Sequence, residues 1–234
     1  MSENSIMERI NISNDETIAK LLSSEGTNNE VILRGTLLEE FQYSHMYQGK
    51  PFYKSKISVR RKSGVKDIIP SIISQELFES LEDNLKGKNF EFIGKIHTHD
   101  VSGKDGKHHL VIFFSVHRIR EAIYGEELKN LVFLRGNLCR KMFFRVKSAT
   151  GTPILDFFIA VKEGYANRDN IPCIAWYDNA EYIHQKLKAT DEIELIGRIQ
   201  SRTYFKYDSK ESDSGKPQTT YEIAVSEVRL ISDK

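Results

Sequence analysis

Between Ser201 and Tyr207 the chain reads SRTYFKY, and strand alternation puts Arg202, Tyr204 and Lys206 on one face. A ring set between two cations suits a ligand in which a flat π system is joined to an anion. A base stacked on such a ring gains roughly 1–3 kcal/mol without its identity being read. Each phosphate neutralised beside it releases counterions, so affinity falls as salt rises. The C-terminal half holds more of both ingredients: Tyr165, Trp176, Phe205 and Tyr207 add rings, while Arg140, Lys141, Arg145, Lys162, Arg168 and Arg198 add charge. Residues 138–147 contain no carboxylate at all. The chemistry these residues imply is stacking and phosphate neutralisation on a single strand of nucleic acid.

Each candidate also has a plainer use. Trp176, the sole tryptophan, sits in an apolar run and suits a core. Tyr204 at a hairpin base suits cross-strand packing. Arg140 and Lys141 suit the protection of an edge strand. Phe143, Phe144, Phe157 and Phe158 alternate, so half of them belong to a core.

Other chemistries find little support. His97, His99, His108 and His109 lie on the two arms of one hairpin, but zinc needs three or four converging ligands and no cysteine accompanies them. No metal or cofactor is expected. The stretch GKDGK at 103–107 is too short for a phosphate loop and precedes no helix. There is no G-x-S-x-G elbow and no H-E-x-x-H, so the chain reads as a binder and not as an enzyme.

Composition sets the frame. With 39% hydrophobic and 29% charged residues the balance is that of an ordinary globular protein. The net charge is +1, so any positive groove must be local. No run of 18 apolar residues exists, and the N-terminus has neither the basic nor the apolar region of a secretory signal. Cys139 and Cys173 form no CxxC pair, which implies free thiols in a reducing cytoplasm, without membrane contact.

The elements that must position these residues come in two copies. VILRGTL at 31–37 returns as VFLRGNL at 132–138, and Asp67-Ile-Ile-Pro70 returns as Asp169-Asn-Ile-Pro172. Gly49-Lys-Pro51 answers Gly151-Thr-Pro153, and Ile93-Gly-Lys95 answers Ile196-Gly-Arg198. A period of roughly 102 residues is a domain length and not a solenoid repeat. The expected organisation is a polar arm over 1–30 with a weak helical patch at Ile18, Leu21 and Leu22, a first repeat over 31–120, a linker over 121–130 and a second repeat over 131–234.

Within each copy a strand carries a mid-strand glycine, as when one strand serves two partners. A turn and a second strand follow, at 52–59 and 154–161, and a third strand begins after the shared proline. The period then turns helical. Phe78, Leu81 and Leu85 share a helical face behind a Ser74 cap, and Ala180, Ile183 and Leu187 share one behind Asp178 or Asn179. Two more strands, at 89–96 and 109–116 or 192–199 and 220–228, close the copy. The order β-β-β-α-β-β predicts an all-β protein with short helices: two tandem OB-folds, five-stranded Greek-key barrels.

The second copy resembles the bacterial single-stranded DNA-binding protein family. The resemblance is carried, in order, by VFLRGNL at 132–138, FFIAV at 157–161, IPCIAW at 171–176, Asn179-Ala-Glu181, ELIGRIQ at 194–200 and Arg202-Thr-Tyr204. It implies stacking rings at Tyr165, Trp176 and Tyr204, and the loss of one family tryptophan at or near Asn170. It also implies single-stranded DNA as partner, in replication, recombination or repair, and a homodimer that brings four barrels together, with first-strand edges as its contact. The acidic recruitment tail common in that family is not seen before Lys234, which points to an accessory or mobile-element role. The rival reading is an OB-fold adaptor of a primosome or recombination complex, or an RNA binder. The first copy keeps the glycines and prolines but has Ser74 where the second has Trp176. Its Arg60-Arg-Lys-Ser-Gly turn reads as a solvated hairpin and the copy itself as a scaffold, the alternative being a nucleic-acid surface of its own built on Tyr43, Tyr47 and Tyr53.

Overall fold

The computed structural model describes residues 27–102, 108–122, 129–140, 142–163, 167–206 and 216–231. Residues 1–26 of the arm expected over 1–30, and residues 123–128 of the linker expected over 121–130, lie outside them. The chain forms two compact units: residues 31–131 together with 199–223, and the remainder, whose main part is 132–198 with 224–231.

In the first-repeat unit, β1 (Asn29–Leu37), β2 (Gln42–Tyr47), β3 (Lys50–Arg60), β4 (Lys66–Ser74), α1 (Gln75–Glu79), β5 (Asn89–Ser102) and β6 (His108–Glu121) follow in order. The strand order is β2-β3-β4-β6-β5-β1, and a second pairing of β1 with β3 closes the circle. Closure depends on β1 changing partners. Gly35 faces Phe90 of β5, while the next residue, Thr36, already pairs with Ser58 of β3. A Cβ at Gly35 would stand 2.5 Å from the Ser58 carbonyl oxygen, so only glycine allows the two backbones to approach. Gly136 repeats the arrangement against the Ala160 carbonyl.

The second repeat supplies β7 (Asn130–Leu138), β8 (Phe143–Lys147), β9 (Thr152–Glu163), β10 (Asn167–Trp176), α2 (Tyr177–Lys186), β11 (Glu192–Lys206) and β12 (Lys216–Leu230), of which the stretches 199–206 and 216–223 cluster with the first-repeat unit. Its order, β7-β11-β12-β10-β9-β8 with β7 pairing again to β9, closes a second barrel of the same design. Both are OB-folds, in tandem. Phe92, Phe114, Ile57 and Ile69 fill the first core, and Phe157, Leu134, Leu155 and Ile159 the second, all fully buried. No helix among the described residues is long and apolar enough to cross a membrane.

Several expectations need correction. The helix predicted over 74–85 stops at Glu79. Ser74 does cap it, accepting from the Leu77 amide, but the Ser80 hydroxyl takes the Leu77 carbonyl and ends the ladder. Glu82 and Asp83 would put negative charge at the negative end of a longer helix, and Asn84 turns the chain into the left-handed region at φ 62. In the second repeat neither Asp178 nor Asn179 is the cap. The cap position falls two residues before Asp178, at Trp176, with no side-chain capping bond. Ala180, Ile183 and Leu187 are buried on one face as the spacing predicts. The third strands begin at Lys66 and Asn167, ahead of their prolines. Pro70 is tolerated inside β4 because β4 meets β6 only at Ser71–Ile73, so the proline has no ladder bond to lose there. The last two strands of each repeat also outrun their predicted ends, because the hairpin arms carry on pairing beyond the barrel core, as at Asp100↔Leu110.

Candidate nucleic-acid interface

The ribbon β8–β9–β10 of the second-repeat unit has two unlike sides. Directly opposed residues on antiparallel strands point the same way, and neighbours along a strand point opposite ways. One side carries the pairs Ile159↔Ile171, Phe157↔Cys173 and Leu155↔Ala175, all buried in the barrel. The other carries Lys162↔Arg168, Ala160↔Asn170, Phe158↔Pro172 and Ile154↔Trp176. Phe143 and Arg145 join this outward side through their pairings with Asp156 and Ile154. Phe144 points the other way and stacks on His184 of α2, with ring centroids 4.2 Å apart. The helix therefore packs against the side away from Phe143.

The outward side is a mixed aromatic and cationic surface. Phe143 is 63% exposed and Trp176 is half-buried at the end of its strand. Tyr177, the next residue, is 64% exposed. Its φ of 53 is the left-handed region, an uncommon one for a bulky side chain, and the turn swings its ring into solvent. Lys162 and Arg168 are exposed and stand directly opposite each other. Like charges so placed are mutually destabilising until an anion sits between them. Arg140 is exposed just beyond β7. Burial holds the Cys139 thiol above its ordinary value, and the charge of Arg168 offsets only part of that. The Cys139 thiol donates to Asn170 Oδ1 at 3.8 Å. Asn170 itself is exposed on this side. Cys139 and Cys173 are both free.

Other candidates are committed elsewhere. Arg145 is ion-paired with Asp156 and lies 5.6 Å from the Phe143 ring centroid, so it holds that ring as much as it offers charge. Arg198 is partly buried. Tyr165 and Lys141 fall outside the described residues, as does the Lys206 side chain.

Tyr204 and Arg202 are on the outer half of β11, within residues 199–223, which cluster with the first-repeat unit. Tyr204 is 46% exposed and Phe205, on the opposite side of the strand, is 61% exposed, so this ribbon offers rings on both sides. Arg202 stands 3.8 Å from Glu222 across the ribbon. Within the same unit the Arg60–Gly64 turn is not simply solvated. Arg61 donates through Nε and Nη2 to the fully buried Asp67 carboxylate and through Nη2 to the Ser201 carbonyl.

The first repeat has exposed rings of its own on β2, at Tyr43 and Tyr47, and pairs two half-buried ones: Tyr53 stacks on Phe78 with centroids 4.0 Å apart. Its His97 ring lies 5.6 Å from Phe113, and among the described residues no three metal-ligating side chains gather.

Sequence reasoning treated the phenylalanine pairs as a group and passed over Tyr177. The signal for Phe143 was there: FFRVK at 143–147 puts Phe143, Arg145 and Lys147 on one side by simple alternation. Nothing local marked the backbone of Tyr177.

A family model described as the single-strand binding protein family matches residues 129–231. Single-stranded DNA-binding protein 3 of Clostridium acetobutylicum is 31% identical over 107 residues, which cover 44% of this chain and 70% of that protein. Single-stranded DNA-binding protein 2 of Chlorobaculum tepidum is 24% identical over 113 residues, 45% of this chain and 72% of that one. The crystal structure of the wild-type single-stranded DNA binding protein from Thermus aquaticus superimposes with a TM-score of 0.68 at 19% identity. That likeness covers 88% of this chain and 94% of that one, so it extends over both repeats.

Proposed function

Since this chain belongs to the single-strand binding protein family, we propose that it binds single-stranded DNA without reading its sequence, through two surfaces. The first is the outward side of β8–β10. There Phe143 and Trp176, with Tyr177 beside them, stack bases while Lys162, Arg168 and Arg140 neutralise phosphates. The second is the outer ribbon of β11 and β12, where Tyr204, Phe205 and Arg202 do the same. The observation that carries the reading is the shared side: residues far apart in sequence, Phe143, Lys162, Arg168 and Trp176, all project from one face of three paired strands. Stacking supplies roughly 1–3 kcal/mol per base and tolerates any base. Neutralisation adds a term that weakens with salt. Asn170 in place of a ring lowers the number of bases this face can hold, which shifts weight onto Trp176 and Phe143. The expected role is to protect exposed strands in replication, recombination or repair. Two copies pairing through their first strands would bring four barrels to one ligand.

Trp176 is the only tryptophan, so its fluorescence reports on its own site. Titration with oligo-dT at about 50 and 200 mM salt should quench it, with weaker affinity at the higher salt. Unchanged fluorescence together with no retention of labelled oligo-dT would refute the reading and favour an adaptor built on the same barrels.

A further inference from the structure

Asp67 is a fully buried carboxylate with an unusual set of partners for a barrel strand. It opens β4, opposite Val59 near the end of β3, and the turn between is held by Arg61 N–H to the Val65 carbonyl at 2.7 Å and by Gly64 in the left-handed region. This turn sets Arg61 and Asp67 side by side. Asp67 Oδ1 then accepts from the Ser201 amide at 2.7 Å, the Ser201 hydroxyl at 2.8 Å and Arg61 Nη2 at 2.6 Å, while Oδ2 takes Arg61 Nε at 2.7 Å. Arg61 Nη2 also donates to the Ser201 carbonyl at 3.0 Å. Ser201 is thereby gripped at its amide, its hydroxyl and its carbonyl. On the other arm, Tyr221 donates its hydroxyl to the Ile68 carbonyl at 2.9 Å, and Gln200 bonds to Glu222 across the ribbon at 2.9 Å.

An exposed two-stranded ribbon is marginal in isolation. Everything beyond Ser201 on β11, including Arg202, Tyr204 and Phe205, extends from this grip. Satisfying a buried charge with several charge-assisted hydrogen bonds is a strong constraint on geometry, because a shifted ribbon would take from the carboxylate both of its Ser201 hydrogen bonds.

We propose that Arg61 and Asp67 are positioning residues for nucleic-acid binding: a latch that fixes the ribbon so that Tyr204 and Phe205 are held ready to stack. The inference rests on the proposed function and assigns the first repeat a task in it, presentation of a ring-bearing ribbon. Fixing the rings beforehand removes an ordering cost from the binding step.

The test is a double-mutant cycle on the full chain, read by oligo-dT affinity, with thermal midpoints recorded for every variant. Tyr204→Ala alone should weaken binding about five- to tenfold. Asp67→Asn, which keeps the volume but loses the ion pair and one of the two oxygens that accept from Arg61, should weaken it about three- to tenfold. On a background carrying both Tyr204→Ala and Phe205→Ala the same substitution should cost less than about twofold, because the rings it positions are gone. A residue that only stabilised the fold would lower the midpoint and leave affinity below that midpoint unchanged, and this outcome would overturn the proposal. So would losses that multiply independently. If Asp67→Asn does not fold, Arg61→Lys carries the same expectation, since an ammonium keeps the charge without the two-pronged geometry. Failure of the wild-type chain to bind oligo-dT would sink the functional reading itself. Wild-type binding that Tyr204→Ala weakens and Asp67→Asn does not would sink the latch alone.

Discussion

Arg168 and Lys162 face each other across the β9–β10 ladder, and replacing Arg168 with alanine should shift stability and ligand affinity in opposite directions. Two unit charges about 6 Å apart in water repel by roughly 0.7 kcal/mol, and screening at ordinary ionic strength lowers this to about 0.4 kcal/mol. Both side chains are exposed, so the substitution opens no cavity. Arg168→Ala should therefore raise unfolding stability by up to about 0.5 kcal/mol in urea titrations at low salt, a gain that fades as salt is added. Binding should respond the other way. One phosphate contact on a single strand adds about 0.7 to the slope of log affinity against log salt, which corresponds to roughly eightfold in affinity at 50 mM and threefold at 200 mM. The variant should lose those factors and show a slope shallower by about 0.7. The assay is oligo-dT titration at several salt concentrations beside urea unfolding of the free chain. An unchanged slope, or a loss of stability alongside the loss of affinity, would show that the pair is not a phosphate seat.

Two further outcomes test the scaffold. Gly35→Ala puts a methyl group against the Ser58 carbonyl at a hypothetical 2.5 Å, and the backbone shift it forces should cost about 1–3 kcal/mol, seen as a lower thermal midpoint. The Asp67 carboxyl carries a pH signature. Burial pushes it up, but the hydrogen bonds from Arg61 and from the Ser201 amide and hydroxyl outweigh burial and hold it below the ordinary carboxylate value. The native state thus binds the proton less readily than the unfolded chain, so its contribution is complete above the ordinary value near pH 4 and fades as pH falls through the lowered one. Asp67→Asn should remove that limb from a plot of urea midpoint against pH; an identical acid limb in both proteins would count against the pairing.

Much of the fold was legible because it repeats and because strand chemistry is local. The mid-strand glycines, the strand–strand–strand–helix–strand–strand order and the buried alternation at Leu155, Phe157 and Ile159 follow from steric and periodic rules acting over a few residues. Helix length was less legible. Whether 74–85 continues past Glu79 depends on a competition between the Ser80 hydroxyl and the backbone that hydrophobic spacing does not register. The cap of α2 was misjudged for a related reason, since the left-handed Tyr177 starts the helix without any capping side chain.

By itself, the sequence determined that there are two OB-folds, which residues fill them, and which rings and cations the second copy holds in supply. All of these are properties of residue type and short-range spacing. Tertiary structure alone decided which of those side chains share a surface. Phe143 joins Trp176 because β8, β9 and β10 pair in one register, and Arg145 gives up part of its charge to Asp156 because that register sets them on the same side. It also decided that Arg61 turns inward to a buried carboxylate and grips Ser201, far away in sequence. Contacts between distant segments are set by chain closure and by the need to satisfy buried charge, and neither has a local signature.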